Sequence, residues 1–236
     1  MNNTVTIAWR EYKAYFLTPI AYVYLTVFLC AINWLFFRGF FVMGAADMRA
    51  LFDVLPWILL FFVPCVTMGK WAEEKRQGTL EIMFTLPVRD ADIVAGKFLA
   101  SVALLATALV LTLPSAATVA LVGNMDWGPV IGGYLGALML AGAYASLGLL
   151  ISSLTENQII AFVGSVAAIF VMLIIGTPFV IGTADTPFLK IVAYTGLASH
   201  FASISRGVID IRDIVYYLSF MAFFLYLNLR AIRARR

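Results

Sequence analysis

The thirteen Asp and Glu, sixteen Lys and Arg and single His of this chain are its charge- and proton-bearing groups, and their spacing is not that of an active site. There is no His-Glu-x-x-His pair to hold zinc and no Gly-x-Ser-x-Gly turn to expose a nucleophile. His200 has no set of Asp, Glu or Cys close in sequence, so a structural role is expected for it rather than metal ligation. The nearest fragment of a phosphate-binding loop, Gly96-Lys97, is followed by Phe98 and lacks the glycine five residues earlier. No catalytic residue, metal or cofactor is therefore expected in this chain, and it has no means of hydrolysing a nucleotide itself.

The densest charge lies in the segment Lys70 to Lys97, which carries Glu73-Glu74-Lys75-Arg76-Gln77-Gly78-Thr79-Leu80-Glu81. Gly78 ends a charged segment, Thr79 is placed to cap a short helix over 79–86, Glu81 sits in its positive first turn, and Pro87 stops it. Leu80, Met83 and Phe84 then share one face at i, i+3 and i+4, and three bulky apolar groups on such a helix must be covered by the bundle or by a partner. Asp90 is expected to cap the next long helix and Lys97 to snorkel back to the interface.

What must position this loop is a membrane bundle. A composition 63% hydrophobic and only 12% charged lies outside the range of water-soluble domains. Apolar runs long enough to cross the hydrocarbon layer fall at 19–37, 51–69, 98–122, 128–152, 159–182 and 214–229. They are continuous rather than alternating, which excludes a β-barrel pattern and predicts an all-α polytopic membrane protein with six transmembrane helices. The first run is of span length, lacks a small-residue cleavage pattern and is expected to remain in the protein.

Alternate loops differ in charge: eleven of the sixteen basic residues fall on the side of the N-terminus and five on the other. By the positive-inside rule both termini are expected in the cytoplasm, with the chain in a bacterial inner membrane. The tail Arg230 to Arg236 suits anionic headgroups rather than nucleic acid. Residues 4–16 place Val5, Ala8, Trp9, Tyr12, Tyr15 and Phe16 opposite Thr6, Arg10 and Lys13, the pattern of an interfacial helix in which Trp9, Arg10, Tyr12 and Lys13 meet the headgroups.

Pro114 predicts a kink in the third span. The fourth, with Gly132, Gly136, Gly142, Ala145 and Gly148, is built for close helix approach. The short turn 152–158 predicts an antiparallel hairpin of the fourth and fifth helices. Residues 183–213, broken by Pro187, Gly196 and Gly207, predict short re-entrant helices at the far side. Cys30 and Cys65 fall at different depths and are expected to remain unpaired small fillers. All acidic residues can be placed at or beyond span ends, which argues against ion coupling through this chain.

These residues resemble a known family. Glu74-Lys75-Arg76-Gln77-Gly78-Thr79-Leu80-Glu81, then Leu86-Pro87-Val88 and Gly96-Lys97, is similar to the signature of permease subunits of ABC-2-type transporters. Ser152-Ser153-Leu154-Thr155-Glu156-Asn157-Gln158 with Ala161, and His200-Phe201 before Arg206-Gly207-Val208-Ile209-Asp210, resemble the gliding-motility-associated branch. The resemblance implies one transmembrane domain over the whole chain, whose short helix is a coupling helix seated in an ABC ATPase subunit. Glu73 to Glu81 with Met83 and Phe84 would be the contact region, and the 4–16 helix a second contact. It further implies two copies of the ATPase, which hold ATP and magnesium. The second permease half would be either the same chain or a larger gliding-type subunit with an extracytoplasmic domain. The residues on their own also leave open an autonomous channel or carrier, or a membrane scaffold without transport.

Overall fold

The computed structural model describes residues 3–43, 47–80, 87–123, 125–175, 194–208 and 210–234. Among them every regular element is an α-helix. In chain order these are α1 (Asn3–Leu17), α2 (Pro19–Met43), α3 (Arg49–Thr67), α4 (Gly69–Arg76), α5 (Asp90–Val110), α6 (Leu113–Val122), α7 (Trp127–Leu154), α8 (Gln158–Ile174), α9 (Leu197–Ser205) and α10 (Ile211–Arg233). Among the described residues five stretches are long and apolar enough to cross a membrane: Pro19–Phe40, Arg49–Arg76, Asp90–Val122, Trp127–Leu154 and Ile211–Arg233. The run expected over 159–182 is described only as the apolar helix Gln158–Ile174, and residues 176–182 lie outside the described set. The chain is a multi-pass membrane protein.

Helix α7 is the axis. It packs against α3, α4, α5, α8, α9 and α10, and most of its length is buried. It can be surrounded because small residues face several neighbours. A Cβ at Gly132 would strike the Ile204 carbonyl of α9, and one at Gly148 would strike the Thr67 hydroxyl of α3. The close approach read from the glycines is thus realised on more than one side of the helix. Asp126, Asn157 and Asp210 cap α7, α8 and α10 by accepting from the backbone N–H groups of Gly128, Ile159 and Arg212 at 3.0, 2.9 and 2.9 Å.

The helix over 90–122 is interrupted at Leu111–Thr112, where the Thr112 hydroxyl donates to the Leu109 carbonyl at 2.7 Å and contacts Tyr134 Oη at 2.9 Å. Pro114 stands in the first turn of the new helix, where its missing N–H costs nothing, and this is the break expected from it. Helix α8 returns along α7 as the predicted hairpin. Cys30 and Cys65 are unpaired but lie on outward faces, so they do not fill the core as expected.

Both ends of the chain gather at one end of the bundle. Thr4 Oγ1 of α1 donates to Asp92 at 2.8 Å, and Arg233 Nε of α10 donates to Asp90 at 3.1 Å. Asp90 therefore does not cap α5. Arg89 holds the cap position, and the carboxylate in the first turn binds the far terminus instead. Of the expected re-entrant segment, residues 183–193 lie outside the described set, while α9 is a short helix that buries Leu197, His200, Phe201 and Ile204.

Candidate coupling site

At the end of the bundle that holds the chain termini, three helices converge on four charges. Helix α3 stops at Thr67, one residue intervenes, and α4 restarts at Gly69, which places Lys70 and Glu74 one turn apart on an inward face. Helix α1 lies along α5, brought close by Gly96: a Cβ there would fall 2.6 Å from Ile7 Cγ2 and 3.2 Å from the Thr4 carbonyl. That approach delivers Glu11 to the two lysines. Lys70 Nζ donates to Glu11 at 3.0 Å and lies 3.8 Å from the centre of the Tyr15 ring.

Lys97 is the centre of the cluster. Its side chain is only 1% exposed, and its ammonium meets Glu74 at 2.5 Å, Glu11 at 3.7 Å and the Lys70 carbonyl at 3.2 Å. It also sits 4.9 Å from the Trp71 ring. The expected snorkelling of Lys97 to the interface is thus corrected. Carboxylates supplied by α1 and α4 satisfy the ammonium inside the protein, so it has no reason to reach for water.

The two carboxylates are not equivalent. Burial pushes Glu11 up, but Lys97 and Lys70 more than offset it and hold the carboxyl below its ordinary range. Glu74 Oε2 is buried without a hydrogen-bond partner among the described residues.

A second set of bonds fastens α4 to the end of α7. Ser152 Oγ accepts from the backbone N–H groups of Trp71 and Ala72 at 3.2 and 3.3 Å and donates to the Met68 carbonyl at 2.7 Å. One hydroxyl thereby satisfies donors that the start of any helix leaves open. Lys75 Nζ donates to the Ser153 carbonyl at the C-terminal, negative end of α7. Beneath these bonds Trp71 is buried with Ile93, Val94, Leu149 and Ile232, and Leu80 packs against that group.

The stretch expected as one contact surface therefore divides. Glu74 and Lys75 turn inward and brace α4, and Leu80 is covered by the bundle. Arg76, Gln77, Gly78 and Thr79 are exposed, and Glu73 is half-buried and accepts from Gln77 Nε2 at 3.1 Å. Gly78 has φ 70°, the left-handed conformation that closes a helix. Thr79 is itself helical and donates to the Glu74 carbonyl at 3.2 Å, so its hydroxyl closes α4 rather than capping the next helix. Glu81, Met83 and Phe84 lie outside the described residues.

On α1 the inward face is Thr4, Ile7, Ala8, Glu11, Tyr12 and Tyr15, while Val5 and Trp9 stand outward, each 57% exposed. Arg10 and Lys13 face outward, Lys13 lies 5.0 Å from the Trp9 ring, and Tyr12 is turned inward to a 2.9 Å bond with Thr107.

Sequence reasoning missed Glu11, Lys97 and Ser152 as members of one assembly. The signal was Lys97, which stands at the start of an apolar run with no acidic residue at helical spacing. His200 was also incompletely read. It is buried, with Nδ1 2.6 Å from Asp213 Oδ1, Nε2 2.8 Å from the Tyr194 carbonyl, and the Tyr216 ring stacked at 4.0 Å. The carboxylate it seemed to lack comes from the neighbouring helix. Among the described residues no group of His, Cys, Asp or Glu is arranged to hold a metal ion.

The chain has no match among curated proteins. Residues 42–228, covering four of the five described spans in part or whole and the charged end from α4 onward, match the family described as ABC-2 family transporter protein. With most of its length matched, the chain belongs to the ABC-2 transporter membrane family.

Proposed function

We propose that this chain is the membrane-spanning permease half of an ATP-driven transporter, coupled to a separate ABC ATPase through the exposed turn at the end of α4. The observation that carries the reading is the division of that segment. Its inner face is bonded to α1, α5 and α7, while Arg76 to Thr79 stand free of that packing at the surface. A push on such a turn is delivered to three helices together. By the charge asymmetry of the loops this end is cytoplasmic and the membrane is the bacterial inner membrane.

In this reading two ATPase subunits hold ATP and magnesium, and their closure displaces α4 and with it the packing of the two permease halves. Differential contact with the turn in the two nucleotide states is what couples the steps. The second half is either another copy or, as the Ser152 to Gln158 and His200 to Asp210 segments suggest by their likeness, a larger gliding-type subunit. The complex works by export or by force transmission across the membrane. Purification of the tagged chain from native membranes in mild detergent, with assay of the eluate, tests this. An ATP-hydrolysing subunit should co-purify, and Arg76→Glu should lower its retention. A pure single chain with flux of its own would establish a channel or carrier, and one with binding partners but no ATPase a scaffold.

A further inference from the structure

At the opposite end of the bundle, α3, α8 and α9 enclose a cleft with two joined compartments. The outer one, about 310 Å³, is lined by Arg49, Asp53, Ser205 and Arg206. The inner one, about 180 Å³, shares Phe52, Asp53, Ala202 and Ser205 with it and continues between Pro56, Trp57, Leu173 and Phe201. The polar chamber thus opens at the first turn of α3, where a headgroup layer lies, and the apolar one runs inward along the span. Asp53, Trp57 and Phe61 form one outward stripe at i, i+4 and i+8, and Trp57 meets Phe170 of α8 edge-on at 6.4 Å, so the cleft opens on the outer surface of the bundle.

The charges in the outer chamber are unspent. Arg206 and Asp53 take part in no ion pair among the described residues, and Arg49 has only a 3.7 Å contact with Asp47 on the exposed surface. Two guanidinium groups suit a phosphate, which Arg binds through paired N–H donors. The carboxylate beside them would repel a purely anionic headgroup but accept hydrogen bonds from an ammonium.

We propose that this cleft binds a bilayer phospholipid whose zwitterionic headgroup ends in a primary amine. Arg206 and Arg49 take the phosphate, Asp53 takes the ammonium, and the channel past Trp57 takes the start of an acyl chain. A trimethylated amine has no N–H to offer Asp53, and a glycerol headgroup offers it hydroxyl donors but no positive charge, so the site discriminates on the headgroup alone.

The test is native mass spectrometry of the delipidated full chain titrated with phosphatidylethanolamine, phosphatidylcholine and phosphatidylglycerol of identical acyl chains. Retention of phosphatidylethanolamine should exceed that of the others by about tenfold, the scale of one charge-assisted hydrogen bond. Arg206→Ala should lower retention of all three. Asp53→Asn should abolish the preference and raise retention of phosphatidylglycerol. Both side chains are exposed, so the variants should melt as the parent does, and melting is recorded in parallel. Equal retention of the three lipids by the parent chain would overturn the proposal, as would a preference that both variants keep. Dimerisation through this face that excludes lipid would assign the cleft to a second copy instead.

Discussion

The two ends of the bundle both bury acidic side chains against a partner, but they do so on different scales. At the charged end Glu11, Lys70, Glu74 and Lys97 come from α1, α4 and α5, and no two helices hold the cluster without the third. At the other end His200 and Asp213 are joined across one turn between α9 and α10, walled by Tyr194 and Tyr216, and nothing beyond that corner depends on them. A distributed cluster transmits displacement because moving one helix breaks bonds to two others. A local pair fixes a corner. The contrast sets a cluster shared by three helices at the end that carries the exposed turn against a local pair at the end that carries α9.

The comparison is broken most severely by Lys97→Met, which leaves Glu11 and Glu74 buried with no shared cation. Loss of one partner from a buried ionic group costs about 3–5 kcal/mol, and a melting temperature lower by roughly 10 °C is expected in detergent. Disulfide trapping between α1 and α4 should show that both helices loosen. Asp213→Asn keeps the shape of the corner but removes its charge, at an expected cost of about 2 kcal/mol. Its melting temperature should fall less, and hydrogen exchange should rise in α9 and the start of α10 while α4 stays protected. Equal spread of both effects through the molecule would erase the distinction between the ends.

Ser152→Ala sharpens the account of α4. It removes a hydroxyl that serves two N–H groups and a carbonyl, so about 1–2 kcal/mol is expected, with faster exchange at Trp71 and Ala72. Substitution by Thr, which keeps the oxygen, should restore most of the protection.

The smallest effect is the pH dependence of the charged end. Glu11, held below its ordinary value of 4.5, contributes stability above that pH, and the contribution is lost as the pH falls through its folded-state value. Glu11→Gln should therefore flatten the acid limb of a melting-temperature profile.

Much of this architecture is written in local pattern. Span-length apolar runs, the break before Pro114 and the glycines of α7 act through neighbours in the chain or through size alone, so they can be read without knowing the fold. The charged end could not be assembled that way. Lys97 pairs with Glu74 twenty-three residues earlier and with Glu11 on a separate helix, and periodicity carries no sign of either. The same holds for His200, whose carboxylate lies thirteen residues on, across a turn. The Gly96-Lys97 pair was legible as part of a family signature and not as physics. Its meaning is that Gly96 admits α1 and Lys97 then receives the glutamate that α1 brings. On α1 the inward position of Glu11 was not legible, because the two lysines that receive it stand on other helices.

In the proposed coupling, the turn braced on three helices is where an ATPase meets this chain. A photo-crosslinking amino acid placed at Thr79, irradiated in native membranes, tests it most directly. The account predicts an adduct with an ATP-hydrolysing subunit whose yield changes when nucleotide is trapped. Crosslinks from Thr79 that stay within the chain or reach only lipid, while a site at Trp9 captures the ATPase, would contradict it.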